Sequence, residues 1–345
     1  MRLLVVDDSA YNRRNISDIF LNEPDVEVVG KAADGEEALK LATSLKPDVI
    51  TLDLEMPRMD GFTFLRILMA RQPTPVIVVS SYRQKENVFK ALELGALDFV
   101  AKPDRQIMPD SSEVKAEILQ KVRLVRTMRP TSRVMKATKP VARPAEAPAP
   151  RPNVNAPQKM VAIASSTGGP TALLEIFGKL HERLGVAVLV AQHMPDKFTR
   201  TFAERLDRKG PFRVSEAQDG DVVFAQTAFV CPGRQCMELI ATPATGELKL
   251  RTGLPAANDR YVPSADRLFK SVAALMGPRA IGVVLTGMGD DGLAGAKAIR
   301  DAGGIIIAES QETAVVYGMP AVVARAGLAN QVLPLPGIAD YLANL

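Results

Sequence analysis

Two groups of side chains in this 345-residue chain have the types and spacing to do chemistry. In the first group, Asp7 and Asp8 follow one apolar run and Asp53 closes a second. Ser80 ends a third run and Lys102 follows a fourth. Three carboxylates on a water-rich loop edge make a hard oxygen donor set suited to Mg²⁺, which keeps waters and binds phosphate oxygens. In that setting Asp53 is a carboxylate nucleophile toward a phosphoryl group, with the metal and Lys102 stabilising the acyl phosphate. The Ser80 hydroxyl is then placed to hydrogen-bond the bound phosphoryl group. Helix capping explains an aspartate after a strand just as well when each acid is taken singly. It does not explain the three together with the lysine.

The second group begins at Ala164-Ser165-Ser166-Thr167-Gly168-Gly169-Pro170, which follows the apolar Val161–Ile163. Proline at a first helical position is preorganised for a helix, so the segment reads as strand, tight turn and helix start. Unpaired amides at such a start favour negative charge. A serine there can attack a carbonyl while neighbouring amides hold the oxyanion. The pattern approaches the G-x-S-x-G elbow but has Ala164 in place of its first glycine. A Gly-rich turn also suits a nucleotide phosphate, and Ser165 or Ser166 also suits a helix cap. No acid follows at the ribose position of a dinucleotide fold.

Histidine supply narrows the choice, because the chain has only two. His181 sits beside Lys179, Glu182 and Arg183 in a segment predicted as an exposed helix face. His193 ends the run Val186–Ala191 and precedes Met194-Pro195, at the same predicted edge as Ser166. A carboxylate to orient that imidazole is offered twice, by Asp290 and Asp291 in Thr286-Gly287-Met288-Gly289-Asp290-Asp291-Gly292. The glycines of this loop allow close backbone approach.

The elements that must position these residues alternate short apolar runs with amphipathic segments. Strands are predicted at Leu3–Val6, Val26–Val29, Val49–Leu52, Val76–Val79 and Phe99–Val100. Helices follow at Ala10–Asn22, Gly35–Ser44, Gly61–Arg71, Glu86–Leu94 and Ser112–Met128. Fully apolar strands alternating with helices imply a parallel sheet covered on both faces. Ligands of such sheets bind beyond the carboxyl ends of the strands. Between Pro130 and Pro157 seven prolines stand among Ala, Arg, Lys and Thr, the composition of an extended spacer.

After the spacer, strands are predicted at Val161–Ala164, Val186–Ala191, Ala228–Val230, Ile281–Leu285 and Ile305–Ala308. The predicted helices are Pro170–Leu184, Lys197–Lys209, Ser264–Met276 and Gly292–Ala302, with a hairpin pairing Cys236–Ile240 and Glu247–Arg251.

Composition sets the bounds. Hydrophobic residues at 47% and charged residues at 24% describe a soluble protein large enough for two domains. No apolar run approaches the roughly 20 residues of a membrane helix, and the N-terminal run is too short for a signal peptide, so a cytoplasmic location is expected. The net charge of +4 is concentrated between Lys121 and Arg151, where nine basic residues face one acid, Glu146. Without aromatic residues for stacking, this reads as a solvated linker rather than a nucleic-acid surface. No helix-turn-helix follows it. Cys231 and Cys236 have neither redox nor zinc spacing and read as ordinary thiols.

The stretches VVDDSA at 5–10, DVITLDLEMPRMDG at 48–61, PVIVVSS at 75–81 and ALELGALDFVAKP at 91–103 resemble the bacterial response-regulator receiver domain. The resemblance implies Asp53 as phosphoacceptor and Asp7, Asp8 and Asp53 as Mg²⁺ ligands. It also implies Ser80, Phe99 and Lys102 as the switch residues.

The segments IASSTGGP at 163–170, VAQHMPDKFT at 190–199, VPSADRLFKSVA at 262–273, VLTGMGDDGLAGAKAIRDAGG at 284–304 and VVYGMPAVVARAG at 315–327 resemble the chemotaxis-receptor glutamate methylesterase family, CheB. That resemblance implies Ser166 as nucleophile, His193 as base and Asp291 as orienting acid, with Thr167 and Met288 bordering the reacting carbonyl. The implied substrates are methyl-accepting chemotaxis receptors, whose glutamyl methyl esters are hydrolysed and whose glutamines are deamidated without a cofactor for hydrolysis. The implied phosphodonor is a chemotaxis histidine kinase, and phosphorylation is expected to relieve obstruction of the hydrolase by the receiver.

The expected fold class is α/β with two doubly wound domains. A flavodoxin-like receiver spans 1–128, a basic Pro/Ala-rich linker 129–157, and the methylesterase domain 158–345. Two departures from the family stand out, namely Ala164 where glycine is usual and Pro232-Gly233-Arg234-Gln235-Cys236 where a PGG-x-H stretch is usual.

Overall fold

The computed structural model describes residues 1–81, 85–102, 112–128, 155–181 and 184–345. The chain divides into two compact units, Met1–Val141 and Ala142–Leu345. Most of the predicted linker, residues 129–154, lies outside the described residues.

The first unit runs β1 (Arg2–Val6), α1 (Ala10–Asp18), β2 (Glu27–Ala32), α2 (Gly35–Leu45), β3 (Val49–Leu52), α3 (Gly61–Arg71), β4 (Val76–Ser81), α4 (Lys85–Glu93), β5 (Asp98–Lys102) and α5 (Ser112–Leu124). Its five strands are all parallel in the order β2-β1-β3-β4-β5. Strands β3, β4 and β5 are buried along their whole length, as their unbroken or nearly unbroken apolar runs require. Asp34 and Asp60 open α2 and α3 by accepting amides of their first turns. The chain leaves β1 for β2 on one side and returns to β3 on the other. That reversal opens the crevice where such sheets bind ligands, between the ends of β1 and β3.

In this unit two predicted helices are longer than the observed ones. α1 stops at Asp18 rather than Asn22, and Pro24 disfavours helical backbone at Glu23 just beyond. α5 gives way after Leu124 to a 3₁₀ turn, Val125–Thr127.

The second unit contains β6 (Lys159–Ser165), α6 (Gly169–Phe177), β7 (Val186–Gln192), α7 (Asp196–Asp207), β8 (Arg213–Glu216), β9 (Thr227–Val230), β10 (Cys236–Ala241) and β11 (Leu248–Gly253). It continues with α8 (Ala265–Met276), β12 (Ala280–Val284), α9 (Leu293–Asp301), β13 (Ile305–Glu309), α10 (Met319–Arg325), β14 (Gln331–Leu333) and α11 (Leu335–Ala343). Seven strands form one parallel sheet in the order β14-β13-β12-β6-β7-β9-β8, and β10 and β11 pair as the predicted antiparallel hairpin. From β6 the chain builds outward through β7, then crosses back to β12. The reversal therefore falls between β6 and β12.

Edge strands β8 and β14 were not predicted, because short polar-containing segments such as RVSE carry no apolar run. Helices α10 and α11 were also missed; both carry proline in the first turn and are too short for periodicity to register. Helix α6 ends at Phe177, seven residues short of the prediction, so His181 lies beyond a helix rather than on one and is exposed.

Candidate active site

Ser166 directly follows β6, whose register with β7 and β12 brings three strand ends together. The ladder continues into the loops. Ser166 N–H donates to the Thr286 carbonyl at 3.0 Å, and His193 N–H to the Ser165 carbonyl at 3.0 Å. Neither serine caps α6, since the capping position is Gly168, with φ +80° and no side-chain bond. The Ser165 hydroxyl donates to Gln192 Oε1 at 2.6 Å. The Gln192 amide in turn donates to the carbonyls of Ser166 and His193, at 3.0 and 2.9 Å. Ser166 is half-buried, and among the described residues its hydroxyl makes no hydrogen bond.

The turn leaves no room for side chains. A Cβ on Gly169 would lie 2.1 Å from Gln192 Oε1, and one on Gly287 would lie 2.8 Å from Ser166 Cβ. Ala164, where the family pattern has glycine, is a buried strand residue and faces Gly292, whose missing Cβ would sit 3.5 Å from the Ala164 methyl. The tight backbone lies later, at 168–169, so the alanine fits. In the other departure, Gly233 packs so closely on the start of α7 that a Cβ would meet the Asp196 amide nitrogen at 2.3 Å. That loop therefore backs the segment following His193.

His193 Nε2 lies 2.8 Å from Asp291 Oδ2. Asp291 is 2% exposed and accepts three amides: Ala265 N at 2.8 Å, Asp266 N at 3.0 Å and Gly292 N at 3.0 Å. Two of these open α8, where the helix dipole favours a negative charge. With the carboxylate already serving as acceptor, His193 Nε2 is the donor and Nδ1 keeps its lone pair. Asp291 therefore also caps a helix, though one whose start lies 25 residues away in sequence. Asp290 points elsewhere, accepting Tyr261 Oη at 2.8 Å and Arg260 Nη1 at 3.2 Å.

The loop after β12 is clamped from below. Thr286 Oγ1 donates to the Thr167 carbonyl and accepts Val316 N–H, both at 2.9 Å. Thr286 N–H donates to Glu309, a fully buried acid that also accepts the Thr313 hydroxyl at 2.8 Å. Thr167 is buried, whereas Met288 is 42% exposed at the mouth of the site.

Sequence reasoning missed Gln192, Tyr261 and Glu309. The only signal for Gln192 was its being the one polar residue in VAVLVAQ. Cys231 and Cys236 are free and buried, and burial pushes the Cys231 thiol far up.

In the first unit, the carboxylate oxygens of Asp7, Asp8 and Asp53 all lie within 4.8 Å of one another. Lys102, 2% exposed, donates to Asp53 Oδ2 at 2.7 Å and Asp7 Oδ2 at 3.0 Å. Burial pulls its ammonium down, but Asp53 and Asp7 outweigh that and hold it above the ordinary lysine range. Burial pushes the Asp7 carboxyl up to about 6, with Lys102 opposing and Asp53 adding to the rise. Asp8 is exposed, so the cluster is open to water on one side. Two buried acids repelling one another beside an open third are a donor set that a hard divalent cation suits. Ser80 is fully buried in β4, one strand from Lys102. Phe99 is buried, edge-on to Phe89 at 6.4 Å, with Lys121 Nζ 5.3 Å over its ring.

Comparison with known proteins assigns a family to each unit. Residues 161–342 match the family described as CheB methylesterase, and residues 3–109 match the response regulator receiver domain. The protein-glutamate methylesterase/protein-glutamine glutaminase 1 of Myxococcus xanthus is 49% identical over 343 residues, covering 99% of this chain and 96% of that protein. The corresponding protein of Pyrococcus abyssi is 40% identical over 346 residues, covering 100% of this chain and 93% of that one. Among solved structures, the Thermotoga maritima CheB methylesterase catalytic domain is 36% identical with a TM-score of 0.52, over 54% of this chain and 97% of that one.

Proposed function

Since the chain belongs to the CheB methylesterase family and carries a receiver domain ahead of the catalytic one, we propose that Ser166, His193 and Asp291 hydrolyse protein-glutamate methyl esters under control of Asp53. The observation that carries this reading is the 2.8 Å His193–Asp291 pair on the strand next to a half-exposed Ser166, where the strand order reverses.

The chemistry follows from the donor pattern. Asp291 holds Nε2–H, so Nδ1 is the base that takes the Ser166 proton as Oγ bonds to the ester carbonyl carbon. Amides of the turn that precedes α6, with Thr167 and Met288, border the oxyanion, since the Gly169 N–H is already given to the Ser166 carbonyl at 2.8 Å and Pro170 has none. Collapse of the tetrahedral intermediate breaks the C–OCH₃ bond, and His193 returns the proton so that methanol leaves. Water, deprotonated by the same imidazole, then attacks the acyl-enzyme and releases glutamate. A glutamine amide passes through the same intermediate and releases ammonia, which accounts for the double name of the relatives.

In the receiver, Asp7, Asp8 and Asp53 are the residues that would hold Mg²⁺, which would supply charge neutralisation for an incoming phosphoryl group. Asp53 is the acceptor, Lys102 is the group placed to contact the phosphate, and Ser80 and Phe99 are the switch. The substrates are methyl-accepting chemotaxis receptors, the donor is a histidine kinase, and the enzyme works in the cytoplasm. Among the described residues no helix is long and apolar enough to cross a membrane. The test is methanol release from methylated receptor membranes, with and without a phosphodonor. Ser166→Ala and His193→Ala are each expected to abolish release, and retained activity in Ser166→Ala contradicts the mechanism.

A further inference from the structure

The Asp291 bond fixes one ring nitrogen of His193 but says nothing about the tilt of the imidazole. A second contact does. The Tyr261 ring lies parallel to it, with centroids 5.4 Å apart and planes 6° apart. An offset stack of this kind restricts tilt, and an aromatic face favours the imidazolium that forms when the base takes a proton.

Tyr261 is itself anchored. Its hydroxyl donates to Asp290 Oδ1 at 2.8 Å, while Arg260 holds the other Asp290 oxygen at 3.2 Å. The Arg260 guanidinium also lies 5.4 Å from the Tyr261 ring centroid. The loop is shaped around this hydroxyl, because Gly289 has φ +95° and a Cβ there would stand 2.5 Å from Tyr261 Oη. The hydrogen bond from Tyr261 holds the Asp290 carboxyl below the usual range, which suits a permanent acceptor.

We propose that Tyr261, tethered by Asp290, is a positioning residue for His193, so that two consecutive acids hold one imidazole from two directions. Asp291 acts on its edge, and Asp290 acts through the tyrosine on its face. The inference rests on the assignment of His193 as the base.

The test uses the full chain, methylated receptor membranes and a phosphodonor, reading kcat, KM and Tm. Tyr261→Ala is expected to lower kcat about tenfold while KM stays within about twofold, as loss of orientation without loss of binding requires. Tyr261→Phe keeps the ring and loses the tether, and is expected to lower kcat about threefold. Asp290→Ala, which removes the acceptor, is expected to match Tyr261→Phe, and the double variant to be no slower than either single one. A kcat for Tyr261→Ala within about twofold of wild type, a change confined to KM, or additive effects in the double variant would overturn the proposal. If Tyr261→Ala fails to fold, the two tether variants, which open little or no cavity, decide the matter. Ser166→Ala separates the two failures. If it retains activity, the site assignment falls as well. If it is inactive while the Tyr261 variants are unimpaired, only the positioning role is lost.

Discussion

Asp290 and Asp291 are neighbours of the same chemical type, yet their carboxylates face different partners. Asp291 is buried against the start of α8 and against His193, whereas Asp290 is paired with exposed Arg260. Asp291→Asn keeps the shape but presents an amide where His193 needs an acceptor, so activity is expected to fall about 10³–10⁴-fold. Asp290→Asn is expected to cost only a few-fold, and methanol-release rates of the two variants, taken side by side, check the assignment. A larger loss in Asp290→Asn would show that the acids are exchanged in role.

The Asp7 carboxyl, raised to about 6 by burial, gives a second expectation at this scale. An unfolded aspartate titrates at about 3.9, so between about pH 4 and 6 the folded receiver holds a proton that the unfolded chain has released. This contribution to stability is therefore lost as pH rises through that window. Mg²⁺ competes with the proton, so it is expected to raise the melting temperature of the receiver more at pH 7.5 than at pH 5. Equal shifts at the two pH values in calorimetry would count against the three-carboxylate site.

At the level of elements, the site is a meeting of turns with no spare volume. The turn before α6 and the loop after β12 touch through Gly287, where a Cβ would lie 2.4 Å from Met319 Sδ and 2.8 Å from Ser166 Cβ. Met319 is held in place by its own N–H bond to the Gly287 carbonyl at 2.8 Å. Gly287→Ala must therefore move the serine or the start of α10. It is expected to lower kcat at least tenfold, with a melting temperature lower by several degrees. Gly169→Ala is expected to act through Gln192, whose amide joins the ends of β6 and β7 by bonding the Ser166 and His193 carbonyls. Crystal structures of the two variants would show displacement of Ser166 in the first and rotation of Gln192 in the second.

For the whole molecule, the two units have separate sheets, each with its own strand-order reversal. A solved relative of the second unit is a catalytic domain alone, so a fragment spanning 155–345 is expected to fold and hydrolyse ester. Asp53→Ala is expected to leave basal methanol release intact while abolishing its increase with phosphodonor, and the fragment is expected to be indifferent to phosphodonor. A phosphodonor response that survives in Asp53→Ala would place the acceptor elsewhere.

By itself the sequence determined the two α/β units and the strand ends at which their chemistry gathers. Apolar runs alternating with helices specify a parallel sheet, and such a sheet delivers Asp7, Asp53 and Lys102, or Ser166 and His193, to one edge whatever the loops do. Scarcity did further work, because a chain with two histidines leaves little doubt about which imidazole ends a strand. The tertiary structure decided everything that depends on contacts between distant residues. His193 and Asp291 stand 98 residues apart; the family resemblance implied Asp291, but the physical reason for Asp291 over Asp290, and for Nε2 over Nδ1, lies in the packing of α8 against the loop after β12. Tyr261, Gln192 and Glu309 belong to the same class. Each acts through hydrogen bonds or a stack whose partners are set by register and loop path, and none leaves a periodic trace along the chain.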